Sequence, residues 1–338
     1  MLNEFRQDLV SGDWVLFSTE RSKKPINHKK KKKFYQSKDD CPFENPQASG
    51  QGEPLLVYLK GQKINWADGF SGQWTTQVIK NKYPAVRHGN VCGSARSYGP
   101  IQVIDASGFH EVVITKDHDR SFAQFDNSET EEIVRVYLDR FREISKDSCN
   151  KYILIFHNHG SLAGASIYHN HSQILSMPIL PPEVLRSVKG SEEYYLKNKQ
   201  KVHDMMVGAT LKDKKRVVFE NEKFIAFCPY VSKTPYEVRI FPKQSSPRFE
   251  NISDEDIPYL ADSLNMMIKK LHRVLDNPDY NFYIHTAPVD DGNYDYYHWH
   301  VEIVPKVGVF GGFELGTDMY INDVDPDEAA EKLRNTEV

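Results

Sequence analysis

Two histidines and a glutamine stand at alternate positions in the run Tyr168-His169-Asn170-His171-Ser172-Gln173. In an extended strand, residues i, i+2 and i+4 face one side, so this spacing predicts two imidazoles and an amide on a common surface. An imidazole needs no deprotonating partner to attack phosphorus near neutral pH, because an ordinary pKa of ~6.5 leaves most of it neutral. The product is a phosphoramidate whose imidazolium leaves readily, which divides one hard transfer into two easier ones. Such chemistry needs hydrogen-bond donors around the phosphate oxygens. Just upstream, the stretch FHNHGSLAGAS supplies Asn158, Gly160, Gly164 and Ser166, a small polar loop that lets backbone N–H groups approach a phosphate closely. Taken alone the loop is weak evidence, since glycine-rich loops are common.

The elements that must position these residues read as one unit written twice. The strand-like run TTQVIKNKYPAV is followed by a second strand at Glu111–Thr115. A helix comes next, capped by Ser128 with Glu131 three residues on, and Ile133, Tyr137, Phe141 and Ile144 fall on one face of it. Tyr152–Phe156 is then a continuous apolar strand, and the His-x-His run closes the unit. From residue 218 the order repeats. FIAFCPYVSKTP leads to a strand at Glu237–Phe241, and a helix capped by Ser253 follows. That helix carries a stripe of Ile257, Leu260, Leu264, Met267, Ile268 and Leu271. A strand at Phe282–Ile284 precedes a second His-x-His strand, YHWHVEIVP. Tyr152 precedes His169 by nearly the interval at which Phe282 precedes His298. The reading is an α+β fold of two pseudo-symmetric units, residues 1–185 and 186–338, each an antiparallel sheet with a helix packed on one face. Residues 186–216 read as a charged helix or connector.

Composition bounds the function. With 39% hydrophobic and 12% aromatic residues the 338-residue chain has ample core, and a net charge of −4 lacks the basic excess of a nucleic-acid binder. Lys29–Lys33, five lysines in a row, read as a solvated loop. The scattered Cys41, Cys92, Cys149 and Cys228 read as thiols or a metal ligand rather than a disulfide frame. The polar N-terminus and the lack of a long apolar run predict a soluble cytoplasmic protein with no membrane partner.

The pattern N-x-G-x-x-x-G-x-S-x-x-H-x-H-x-Q, Asn158 to Gln173, resembles the active-site signature of the galactose-1-phosphate uridylyltransferases, a branch of the histidine-triad superfamily. FRQDLVSGDWVLFSTERSKKP, NKYPAV and GFELGTDMYIN are also similar to segments of that family, so the likeness spans most of the chain. It implies a ping-pong exchange of a nucleotidyl group between a nucleoside-diphosphate sugar and a sugar 1-phosphate, in a dimer with shared sites. By that resemblance His171 is the nucleophile and Gln173 holds an α-phosphate oxygen. Asn81, Asn158, Gly164 and Ser166 match nucleotide- and phosphate-binding positions. Arg21 and Lys24 match basic residues that face sugar phosphate, often from the partner subunit, although Lys24 replaces the usual arginine and loses its bidentate fork. Hydrolases of the superfamily resemble His-x-His-x-His. Gln173 in the third place can donate a hydrogen bond but supplies no proton, which favours an intermediate that waits for an acceptor.

The resemblance also implies a structural zinc, with Cys41, His118 and His169 at ligand positions and Glu44 where a second cysteine is usual; carboxylate oxygen is an acceptable zinc ligand. His285, His298 and His300 resemble a second metal site found in some members, though its carboxylate has no clear counterpart and Glu183 is out of register. The expected activity is that of a hexose-1-phosphate uridylyltransferase. The alternatives are an ADP-sugar phosphorylase or adenylyltransferase using the same histidine, and a nucleotide-binding protein without catalysis.

Overall fold

A computed structural model describes residues 3–23, 35–66, 73–89 and 91–338. In the first part of the chain the strands are β1 (Asn3–Gln7), β2 (Trp14–Ser18), β3 (Leu56–Leu59), β4 (Gln62–Ile64), β5 (Thr76–Lys80), β6 (Ala95–Tyr98), β7 (Ile101–Ile104) and β8 (His110–Thr115). Helix α1 (Asn127–Ile144), β9 (Tyr152–His159) and β10 (His171–Met177) complete the first unit. The connector forms α2 (Pro182–Asn198) and α3 (Val202–Asp213). The second unit follows as β11 (Val217–Glu220), β12 (Phe224–Phe227), β13 (Val238–Pro242), α4 (Ile257–Val274), β14 (Tyr280–His285) and β15 (His300–Pro305). The chain ends with α5 (Gly312–Thr317), β16 (Tyr320–Asn322) and α6 (Pro326–Arg334).

The duplication is written into the strand order. Eleven strands form one sheet, β11-β12-β13-β15-β14-β9-β10-β8-β5-β3-β4, and every pairing in it is antiparallel. Outward from the central pair, β9-β10-β8-β5 on one side matches β14-β15-β13-β12 on the other, with α1 and α4 at equivalent points in the chain. The two expected half-sheets are therefore joined edge to edge, through the register Tyr280↔His159, Phe282↔His157 and Ile284↔Ile155. Each half covers the other's open edge, which would otherwise expose unpaired backbone N–H and C=O groups. A separate three-stranded sheet carries β16 back onto β2 in parallel, so the C-terminal segment is anchored on the N-terminal hairpin.

Helices α1 and α4 pack on each other and on one face of the large sheet, and all the apolar positions expected on them are buried. The caps differ from expectation. Asp126, not Ser128, caps α1: its side chain accepts from the Glu129 N–H while the Glu129 carboxylate accepts from the Asp126 N–H. Ser253 lies outside α4 and instead accepts from the Asp256 N–H in the preceding turn. Ser128 instead donates its hydroxyl to the Asp126 carboxylate, and Asp256 holds the cap position of α4 without a side-chain hydrogen bond, so pattern alone does not choose the cap.

The cysteines also correct the sequence reading. Cys92 and Cys149 form a disulfide, while Cys41 and Cys228 are buried thiols. The bridge joins the loop after β5 to the turn between α1 and β9, and a His88–Asp147 hydrogen bond at 2.7 Å sits beside it. A sequence separation of 57 residues gave no sign of this proximity. Among the described residues, no helix is long and apolar enough to cross a membrane.

At the seam Phe282 is fully buried, stacked on His157 at 5.0 Å and edge-on to Phe122 at 5.3 Å. Phe282→Ala opens a cavity where the halves meet, and should cost about 3–5 kcal/mol of unfolding free energy in a denaturant titration. A loss below about 1 kcal/mol would mean that the seam relaxes freely and does not hold the sheet together.

Candidate functional site

Strand β10 lies between β9 and β8, and its alternation assigns the chemistry. Ile174 points into the core under the helices, and Ser172 does the same with a 2.5 Å hydrogen bond to the hydroxyl of Tyr137 on α1. His171 and Gln173 must then face the opposite side, away from α1 and α4. His169 precedes the strand, so alternation does not govern it, and the expected row of three shrinks to two. His169 serves a neighbouring cluster instead.

The proton of His171 is placed by its partner. Nδ1 lies 2.8 Å from the carbonyl oxygen of His169, which can only accept, so Nδ1 carries the hydrogen and the lone pair is on Nε2. The ring meets Phe43 edge-on at 5.2 Å, and burial lowers its pKa below the ordinary imidazole value. The hydrogen bond fixes the direction of the ring, and burial favours its neutral form. Behind the strand His157 lies 3.1 Å from Ser172 Oγ, and burial holds it well below the usual imidazole range.

Gln173 Oε1 is 2.8 Å from Nε2 of His110, the first residue of β8. Asn81 begins the loop after β5. Its Oδ1 accepts from the Tyr83 N–H, and its Nδ2 lies 3.2 Å from the same His110 nitrogen. Asn158 on β9 is aimed by a residue of the other half: Asn281 Nδ2 donates to Asn158 Oδ1 at 2.7 Å and to the Ala163 carbonyl at 2.8 Å. Both Asn158 N–H donors are left for something else. The loop that follows turns at Gly160 and Gly164, both at positive φ, and its Leu162 N–H is held by Asp279 at 2.6 Å. A Cβ on Gly160 would collide with the Asp279 carboxylate, so glycine is required there. Gly164 and Ser166 are exposed on this loop. A cavity of about 500 Å³ opens beside it, lined by Asn158, His157, Asn170, Arg120 and Lys306.

Arg21 is exposed and lines a separate cleft of about 200 Å³ with Lys233, Phe310 and Glu314, which none of His171, Gln173 and Asn158 lines. Lys24 and the run Lys29–Lys33 lie outside the described residues.

The metal-ligand candidates converge. Cys41 Sγ is 3.5 Å and His118 Nδ1 is 3.3 Å from His169 Nδ1. Each imidazole spends its other nitrogen on a backbone carbonyl, His118 on Gln36 at 2.8 Å and His169 on Thr115 at 2.6 Å. Those Nε2 atoms must be the protonated ones, so two Nδ1 lone pairs face each other at 3.3 Å. That arrangement is repulsive unless a positive centre lies between them, and it is how backbone carbonyls orient metal-bound histidines through the other ring nitrogen. Burial takes the pKa of His169 down to about 4, so protonation is a poor substitute. Glu44 Oε2 is buried, lacks a hydrogen-bond partner and sits 3.8 Å from His118 Nδ1. Cys41, His118, His169 and Glu44 therefore fit a cation.

The second histidine group is assembled differently from expectation. His285 and His300 pair across β14 and β15, and Glu302 completes the group, its Oε2 3.6 Å from His285 Nε2. His298 is not part of it. It precedes β15, as His169 precedes β10, and its Nδ1 faces Asp204 at 3.5 Å. Glu302 is also bound by the Tyr283 hydroxyl at 2.9 Å and by the buried guanidinium of Arg239 at 3.4 Å, which pairs in turn with Glu237 at 3.0 Å. Glu183 is taken up by Lys233 at 3.0 Å. Sequence reasoning missed His110, Asn281, Glu302 and Arg239. Glu302 stands two residues after His300 in the run YHWHVEIVP, where alternation could have found it, while strand register brings the others into place.

The first 181 residues match the model of the galactose-1-phosphate uridyl transferase N-terminal domain, and residues 98–336 match a domain of unknown function, DUF4921. The chain is 32% identical to an ADP-glucose phosphorylase of Arabidopsis thaliana, over 98% of this chain and 92% of that one. It is 27% identical to a galactose-1-phosphate uridylyltransferase of Thermotoga maritima, over 99% of each. Among solved structures, the Arabidopsis ADP-glucose phosphorylase with bound ADP-glucose superposes with a TM-score of 0.83 at 29% identity over 100% of both chains. A uridylyltransferase superposes at 0.72 and 27% identity, over 98% of this chain and 97% of that one.

Ser172→Ala tests the support behind the strand. It removes the common partner of the buried Tyr137 hydroxyl and His157 Nδ1, and should cost about 1–3 kcal/mol. The check is a shifted urea midpoint at unchanged m-value, and an unshifted midpoint would mean that the three side chains do not form this network.

Proposed function

Because the chain belongs to the galactose-1-phosphate uridylyltransferase family, we propose that it transfers a nucleoside monophosphate by way of His171. The observation that carries this is the His171 ring itself, buried and neutral, with Nδ1–H fixed on the His169 carbonyl and Nε2 without a hydrogen-bond partner among the described residues. Nε2 attacks the α-phosphorus of a nucleoside-diphosphate sugar. A P–N bond forms, the P–O bond to the β-phosphate breaks, and the sugar 1-phosphate leaves with the bonding pair. The imidazolium that results keeps its Nδ1–H on the carbonyl, which stabilises the new charge where it forms. An acceptor phosphate oxygen then attacks the same phosphorus and returns His171 neutral. A phosphate leaving group departs as an anion and needs no proton, so Gln173 at the third position suffices; its role is to hold a non-bridging oxygen. Asn158 donates to the same group, and Gly164, Ser166 and Asn81 border the nucleotide.

Two readings of donor and acceptor follow. In the first the nucleotide is UMP and the acceptor a hexose 1-phosphate, which the family match over residues 1–181 and the Thermotoga relative favour. In the second an ADP-sugar is cleaved by inorganic phosphate, which the 32% identity and TM-score of 0.83 to the Arabidopsis enzyme favour. Both use the same His171 adduct, and both extend to a homodimer in which Arg21 serves the partner's site. The support for that extension is Arg21's place on a cleft apart from His171. At Cys41, His118, His169 and Glu44 we propose zinc, held for structure.

Protein incubated with UDP-glucose or ADP-glucose labelled in the nucleotide should gain one label on His171. The adduct should persist in buffer and discharge on adding hexose 1-phosphate in the first reading, or inorganic phosphate in the second. His171→Ala should form none while keeping its fold. An adduct that decays equally fast without acceptor would make the protein a hydrolase, and one that survives in His171→Ala would move the nucleophile elsewhere.

Protein purified without chelator should hold about one zinc per chain by elemental analysis. Cys41→Ser should lose it and Glu44→Cys should retain it longer against a chelator, thiolate being the stronger zinc ligand. Metal-free native protein with no gain in Glu44→Cys would leave Cys41 a buried thiol and nothing more.

A further inference from the structure

Gln173 is useful to a phosphate only if its amide presents nitrogen rather than oxygen. An amide is free to turn over, and its two ends are nearly the same size. Something must therefore decide which end faces outward. The strand does not, because it fixes where the side chain leaves the backbone and not the last torsion.

The decision is made at His110. Its Nδ1 lies 3.0 Å from the backbone nitrogen of Ala85, and a backbone N–H can only donate. Nδ1 of a neutral His110 is thus an acceptor, and its one hydrogen is on Nε2. That Nε2 lies 2.8 Å from Gln173 Oε1 and donates to it. With the oxygen committed, the Gln173 nitrogen and its two N–H groups are turned outward on the face His171 shares. The nearby Asn81 Nδ2, 3.2 Å from the same His110 nitrogen, cannot reverse this. If it donated to Nε2, the hydrogen would have to sit on Nδ1, opposed to the Ala85 N–H. Asn81 is itself oriented by Tyr83, whose N–H donates to its Oδ1.

We propose that His110 is a positioning residue for nucleotidyl transfer, fixing Gln173 with its N–H donors toward the phosphate on His171. This rests on the proposed role of His171. The loop that carries Ala85 is part of the device: its amide sets the tautomer, and the tautomer sets the Gln173 amide. His110 touches no reacting atom and acts only through Gln173.

The test is a double-mutant cycle on the rate of adduct formation with labelled UDP-glucose and ADP-glucose. His110→Phe, which can neither accept from Ala85 nor donate to Gln173, should slow adduct formation roughly ten- to a hundredfold, as loss of an orienting partner commonly does. The effect should fall on kcat more than on KM. In a Gln173→Ala background the same change should have almost no further effect, whereas a residue needed only for packing would cost as much in either background. His110→Gln, which keeps one acceptor and one donor, should recover most of the rate. A measurement on unaltered protein stands independently of how the variants fold: ¹⁵N shifts of the His110 ring should report hydrogen on Nε2. Additive losses in the cycle, or an Nδ1–H tautomer, would overturn the proposal. Adduct formation by His171→Ala would instead sink the reading of the site, a result distinguishable from either.

Discussion

A strand has two faces, and what is buried on one decides what the other can present. On β10 the commitment is made by Ile174 in the core and by Ser172, which is bonded to Tyr137 and close to His157. A slip of one residue would bring His171 and Gln173 under the helices and expose the apolar side, at a cost of several kcal/mol for the buried side chains involved. His171 is therefore aimed by what its strand buries on the other face. Helices α1 and α4 pack together on the face that Ile174 and Ser172 fill, and the opposite face is shared between His171, Gln173 and smaller apolar clusters such as the one around Val112 and Ile114.

The seam between β9 and β14 extends that logic to the whole sheet. Because β9 and β14 pair directly, the face that carries His171 in one half continues across the seam into the other. Asn281 of the second half can then orient Asn158 of the first. His300 is the counterpart of His171, three strands away, roughly 14 Å at the usual strand spacing. It has the same internal bond, Nδ1 to the carbonyl two residues back, at 3.2 Å. The surroundings differ. His300 is stacked on Phe241 at 4.5 Å and enclosed by His285, Glu302 and Arg239. Removing either partner from the Arg239–Glu302–Glu237 network would strand a charge in the interior, which is far more damaging than the network is stabilising. His300 is thus built into a buried charge network, whereas the ring of His171 meets Phe43.

Much of this was legible in the sequence. The order of elements and the buried stripes of both helices follow from periodicity, while the grouping of Cys41, His118 and His169 was implied only by the family resemblance. What escaped depends on strand register. His110 and Gln173 meet because Leu175 pairs with His110, and Asn158 meets Asn281 because β9 pairs with β14. A single sequence states which residues form a strand but not which residue lies opposite which. For the same reason the i, i+2 rule was extended too far at His169 and His298, both of which stand just before their strands begin. The Cys92–Cys149 bridge was missed because it depends on where a loop ends, and no local pattern encodes that.

His169 holds two offices with different parts of itself. Its ring belongs to the cluster with Cys41 and His118, while its carbonyl accepts the hydrogen bond from Nδ1–H that sets the tautomer of His171. A replacement at 169 deletes the ring but leaves the carbonyl, and the carbonyl's position depends on the ring that pinned it. In genetic terms the residue is pleiotropic: a lesion there would be scored as catalytic although it touches no reacting atom. Stability and activity phenotypes traced to this strand should segregate poorly, since one peptide unit carries both.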